Sequence, residues 1–193
     1  MKRAFALVAL SAFGWFAVHA AADPPSPRPS EASALDAERA ILRRVHVELA
    51  PLGFSEMVGA CEDVLHGVVT GVEHVTPRNR PGYRLIQVVP RSFASGRAAS
   101  MWELQVLGAQ SAHDITLVDA APEFRVGEEI AVFLCGVQGE RSGVLGLERG
   151  VLRVAAHAGD GARVRGLHAQ TDETVGAFLA RVATERAAQS LAW

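Results

Sequence analysis

Glu128-Glu129-Ile130-Ala131-Val132-Phe133-Leu134-Cys135-Gly136-Val137 is the stretch that decides the fold. Every position of 130–135 is apolar. Successive side chains of a strand point to opposite faces. An unbroken apolar run therefore needs burial on both faces, under a helix or across a closed barrel. Val132 and Leu134 are expected on one side, and Ala131 and Phe133 on the other.

Strand signals continue on both sides of this run. Residues 64–72 are rich in Val and broken by Gly67 and Gly71, and glycines inside a strand mark bulges or tight bends. Residues 76–82 (TPRNRPG) read as a loop. A second strand covers 83–89, and Pro90 after it suggests an edge or a bulge. Residues 101–107, 115–118, 144–155 and 162–168 complete the strand set. Thr171 or Asp172 caps a last helix with Val175, Phe178, Leu179 and Val182 on one face. At the other end, Ala34, Ala37, Ile41 and Val45 recur at helical spacing, which predicts a helix over 34–49 closed by Pro51 and Gly53. One more helical turn is expected at 55–60. Five to seven short strands with glycine-rich bends and a helix at each end suggest a mainly β fold, a small OB-like barrel.

Residues 1–22 read as a secretory signal peptide: Lys2 and Arg3, an uncharged apolar run over 4–18, then small residues that place cleavage after Ala20 or Ala22. A run of ~15 apolar residues is too short to span a bilayer. Residues 23–31 (DPPSPRPSE) are a Pro-rich linker, and 32–193 are expected to form a single barrel domain with flanking helices. Cleavage would remove two of the 19 basic residues and none of the 21 acids, leaving a net charge near −4. A nucleic-acid partner, which calls for a basic surface, is thereby disfavoured.

Three segments in order carry a resemblance. Phe54-Ser55-Glu56-Met57-Val58 leads into Cys61-Glu62-Asp63-Val64-Leu65-His66-Gly67-Val68-Val69. Phe124-Arg125-Val126-Gly127-Glu128-Glu129 leads into the apolar run. Val144-Leu145-Gly146-Leu147 is followed by Gly150-Val151-Leu152-Arg153-Val154. Over 54–155 the chain resembles a group of exported bacterial proteins of undetermined function. Its order is also similar to the barrel of tissue inhibitors of metalloproteinases and the netrin-like module. The resemblance implies an OB-type fold; its motifs are glycines and apolar runs, which specify fold rather than function. Two departures are plain. Residues 109–122 lack the glycine pair that the bacterial group carries there. The inhibitors' N-terminal cysteine, which enters a protease zinc site, has no counterpart at Ala21 or Asp23.

Cys61 and Cys135 are the only cysteines. In an oxidising compartment they would close a loop of about 75 residues, with a loop-entropy gain of about 4 kcal/mol; the alternative is two buried thiols. Neither sits in a catalytic signature, no G-x-S-x-G occurs, and no H-E-x-x-H or C-x-x-C suggests a metal. His66 and His74 have the same parity on one strand, but lie ~26 Å apart by strand rise. No cofactor is implied.

Arg78, Arg80 and Arg84 surround the first hairpin loop together with Tyr83. Guanidinium groups beside an aromatic can take phosphate, sulfate or uronic acid groups. The second candidate loop, 109–123, carries His113, Asp114 and Asp119. The expectation is a non-catalytic exported binding or structural module of the cell envelope or secreted fraction, with a protein or an envelope glycan as partner and these loops as the candidate binding surface. The alternatives are a protease-inhibitor-like protein, and a hydrolase with a pocket lined by His66, Glu73 or Asp114.

Overall fold

The computed structural model describes residues 41–111, 114–155 and 161–191. In chain order these form β1 (Ile41–Val45), α1 (Phe54–Ala60), β2 (Asp63–Val75), β3 (Tyr83–Phe93), β4 (Trp102–Leu107), β5 (Ala109–Gln110), β6 (Asp114–Val118), β7 (Glu129–Gln138), β8 (Arg141–Val144), β9 (Val151–Ala155), β10 (Arg163–Arg165) and α2 (Val175–Leu191). A 3₁₀ turn, Leu147–Gly150, separates β8 from β9, where one continuous strand was expected. The expected leader, the Pro-rich linker, His113 and residues 34–40 of the expected first helix lie outside the described residues.

β2, β3 and β4 form an antiparallel meander. β8 runs parallel to β4, and β7 pairs with both β8 and β2. These five strands close a barrel of OB-like topology. β9 and β10 extend the sheet from β7.

The apolar run lies where its pattern requires. Val132 and Leu134 face the barrel interior with Leu65, Ile86, Val88, Trp102 and Leu104. Ala131 and Phe133 face outward into a second core shared with Val64 of β2 and with Met57, Val58, Phe178 and Val182, brought by α1 and α2. All four are fully buried. Phe133 meets Phe178 edge-on at 6.0 Å, a favoured arrangement for aromatic rings.

Two bulges bend β2 and β3. The pairing slips between His66 and Gly67, opposite Pro90, and again between Val69 and Gly71. Gly67 is required at the first: a Cβ there would stand 2.6 Å from the Val89 carbonyl oxygen. Pro90 thus stays within β3, at a bulge, as its missing N–H demands.

The N-terminal helix is a correction. Residues 41–45 form β1, paired in parallel with β6 from Ile41↔Asp114 to Val45↔Val118. Helical spacing is a weak local signal. The β-branched Ile41 and Val45 suit a strand, and the ladder offered by β6 satisfies their backbone. The helix that precedes the barrel is the short α1 at Phe54–Ala60. No helix among the described residues is long and apolar enough to cross a membrane.

Candidate functional site at the barrel mouth

The chain makes its two candidate loops into one structure. Residues 76–82 connect β2 to β3, while β5 and β6 lie in the long connection from β4 to β7. Arg43 of β1 donates from Nη1 to the Arg80 carbonyl (2.8 Å) and from Nη2 to the Arg78 carbonyl (3.5 Å). The same Nη2 lies 3.7 Å from Asp114 Oδ2. The Gly82 N–H donates to Thr116 Oγ1 at 3.0 Å, and the Gly108 N–H to the Gly82 carbonyl at 2.9 Å. Arg78 and Arg80 themselves stay exposed, and Tyr83 is half-buried in the ladders to Val75 and Leu107. Asp114 anchors Arg43 rather than facing a partner, and Asp119 is held by His46, Nδ1 to Oδ2, at 2.8 Å.

A cleft of about 470 Å³ opens at this end of the barrel. Its charged and polar lining comes from Arg44, His74, Arg84, Gln110, Thr116, Asp119 and Glu123. Mouths of β-barrels are recurrent ligand sites, and OB barrels bind through the loop that here is 76–82.

Arg84 is the unusual member. It shares the strand phase of Ile86 and Val88, so it lies on the interior side, and its side chain is 7% exposed. Nη2 donates to the Pro122 carbonyl at 2.9 Å. Nη1 is 3.4 Å from Oε2 of Glu123, whose side chain is 83% exposed. Nε is buried and has no hydrogen-bond partner among the described residues. An unpaired buried donor costs about 1–3 kcal/mol. Arg84 is paired across the ladder with His74. His74 Nδ1 accepts the Gln110 N–H at 2.9 Å, which leaves Nε2 as the donating nitrogen of the neutral ring. The turn after β6 carries Ala120 at φ 60°, a left-handed backbone that a non-glycine residue adopts only where its surroundings hold it.

His66 lies elsewhere. The bulge between Val69 and Gly71 reverses the phase of β2, so His66 faces outward while His74 faces the mouth. The equal parity of their numbers is no guide here. His66 donates or accepts at both nitrogens: Nδ1 to Ser92 Oγ (3.1 Å) and Nε2 to Glu129 Oε1 (2.7 Å). Arg91 Nη1 bonds the same Glu129 oxygen at 2.7 Å. Ser92, His66 and Glu129 form a line of the residue types used by serine hydrolases. However, none of them lines the mouth cleft or a second cleft of about 300 Å³ between β10 and the start of α2. Glu73 and Asp114 line neither. Among the described residues, no group of three His, Cys, Asp or Glu side chains is placed to hold a metal ion.

The two cysteines are free thiols, so the expected bridge is not formed. Cys61 is fixed by other partners: its Sγ donates to the Val58 carbonyl (3.4 Å) and accepts from Arg186 Nη2 (3.2 Å). Cys135 Sγ packs against Gly143, 3.2 Å from where a Cβ would stand. Burial pushes both thiols above their usual pKa, which suppresses the reactive thiolate.

Sequence reasoning placed Arg84 near the loop but did not separate it from the exposed Arg78 and Arg80. The available signal was its phase: a charge in register with Ile86 and Val88. His74, Arg44 and Glu123 carried no local signal, because only the fold brings them to Arg84.

The chain was compared with family models, curated proteins and solved structures. It matches none of them.

Proposed function

We propose that this protein is a non-catalytic exported module that binds a protein or an envelope glycan through the mouth of its barrel. One observation carries the reading. The connection from β4 to β7, pinned beside loop 76–82, lines with β1, β2 and β3 a cleft of about 470 Å³ that contains a nearly buried arginine with an unused donor, while loop 76–82 itself contributes no lining residue. Binding functions commonly sit on loops held by a rigid scaffold, and Arg and Tyr are enriched at binding hot spots. Export rests on the leader-like residues 1–22.

The test replaces Arg78, Arg80 and Tyr83 together by Ala. The expected outcome is an unchanged thermal melt and lost retention of ligands from a panel of envelope glycans and secreted proteins. Unchanged retention with an intact fold removes the loop from the reading.

The OB-like topology supports a second reading, a protease-inhibitor-like protein using the same end. Inhibition of a secreted protease, abolished by the triple variant, would favour it. Ester or peptide turnover that disappears in Ser92→Ala would overturn the non-catalytic reading and assign the Ser92–His66–Glu129 line to a hydrolase.

A further inference from the structure

We propose that Arg84 and His74 form a carboxylate anchor inside the barrel mouth, and that Glu123 is its built-in competitor; the ligand class is an acidic saccharide or another carboxylate-bearing molecule. This rests on the mouth being the binding site. Three observations lead to it. Arg84 holds one donor, Nε, that no described residue uses. Beside it, His74 is fixed by the Gln110 N–H so that Nε2 donates, and the exposed Arg44 adds a positive charge to the same lining. The chain's own carboxylate already sits there, but poorly: Glu123 reaches only 3.4 Å from Nη1 while 83% exposed. Arg84 is buried, but Glu123 lies largely in solvent and holds it through one long contact, so an incoming carboxylate can take its place. That ligand would accept from Nε and from His74 Nε2, donors that Glu123 leaves unused. A guanidinium and a carboxylate bond in a planar, charge-assisted pair that a neutral hydroxyl does not match. The other acid of the lining, Asp119, is engaged by His46 at 2.8 Å.

The geometry sets two substitutions in opposite directions, and neither removes the buried Arg84. Glu123→Gln removes the competitor from an exposed position. It should tighten binding of trigalacturonate to the purified protein about tenfold by titration calorimetry, a change of about 1.4 kcal/mol. His74→Ala should weaken it about tenfold. Thermal melting of both variants checks the fold. Trigalacturonate, maltotriose and inorganic phosphate are titrated side by side, and trigalacturonate alone should bind with high affinity. Equal binding of maltotriose overturns the carboxylate anchor but leaves the mouth as a binding site. Tighter binding of phosphate than of trigalacturonate overturns the carboxylate assignment. Binding that neither substitution changes, or the absence of any binding, overturns the anchor. The part played by loop 76–82 is tested separately: it has none if the Arg78, Arg80 and Tyr83 variant retains every ligand of the wild-type protein.

Discussion

Two arginines separate the flank of the barrel from its mouth. Arg181 of α2 lies on the helix-covered flank, where its Nε and Nη2 are both taken. Its Nε and Nη2 bond the two oxygens of Glu173 at 2.8 Å each, Nη2 also bonds the His168 carbonyl at 2.7 Å, and its guanidinium lies 3.8 Å from the Phe54 ring centre. Arg84 is more deeply buried yet has one carbonyl, one loose carboxylate and an idle Nε. The difference sets Arg181 apart as part of the scaffold, bonded twice to Glu173, from Arg84 at the mouth, whose Nε is left over.

The flank should dominate stability. Phe133→Ala opens a cavity between Phe178, His168 and the sheet and should cost about 3–5 kcal/mol by urea unfolding. An unchanged midpoint would mean that the second core is not packed as described.

Arg181→Met should cost about 2–3 kcal/mol, since it leaves the buried Glu173 carboxylate without its charged partner. Arg84→Met is the matched substitution at the mouth. It removes an already incomplete set of bonds and replaces it with an apolar side chain that continues the Ile86–Val88 phase. The expected loss is under about 1 kcal/mol. Equal costs at the two sites would erase the contrast.

The smallest effect is a pH slope from the flank. His168 is buried, with no partner for Nε2 among the described residues, and lies edge-on to Phe133. Burial, followed by the charges of Arg181 and Arg149, holds its pKa below 6.5. Lowered in the folded state, His168 leaves stability complete above the unfolded value. Stability then declines as pH falls from there towards the folded pKa. Glu173 acts at lower pH: burial raises its pKa, but the Arg181 hydrogen bonds, the Gln170 N–H and the Arg181 charge outweigh that and set it below 4.5. Its contribution is present above the usual carboxylate range and lost as pH falls through the folded pKa. His168→Gln should flatten the slope of the urea midpoint between about pH 7 and pH 5 and leave the more acidic loss in place. A slope that survives in the variant would assign it to other groups.

Local pattern determined much of this fold. The apolar run at 130–135 announced a strand buried on two faces, because strand side chains alternate whatever surrounds them. The glycines of β2 and Pro90 marked bulges, because each has a backbone property that no neighbour alters. The face of α2 followed from Val175, Phe178 and Val182. Only the tertiary structure turned 41–45 from a helix into β1, since the partner strand lies some 70 residues away. It alone put His66 and His74 on opposite faces, because one extra residue at a bulge inverts every later side chain. It also left the two thiols unbridged and gathered Arg44, His74, Arg84 and Glu123 at one mouth. Periodicity reports which face a residue prefers relative to its neighbours in the chain. Which distant groups share that face, and which donor is left unpaired there, is set by closure of the barrel.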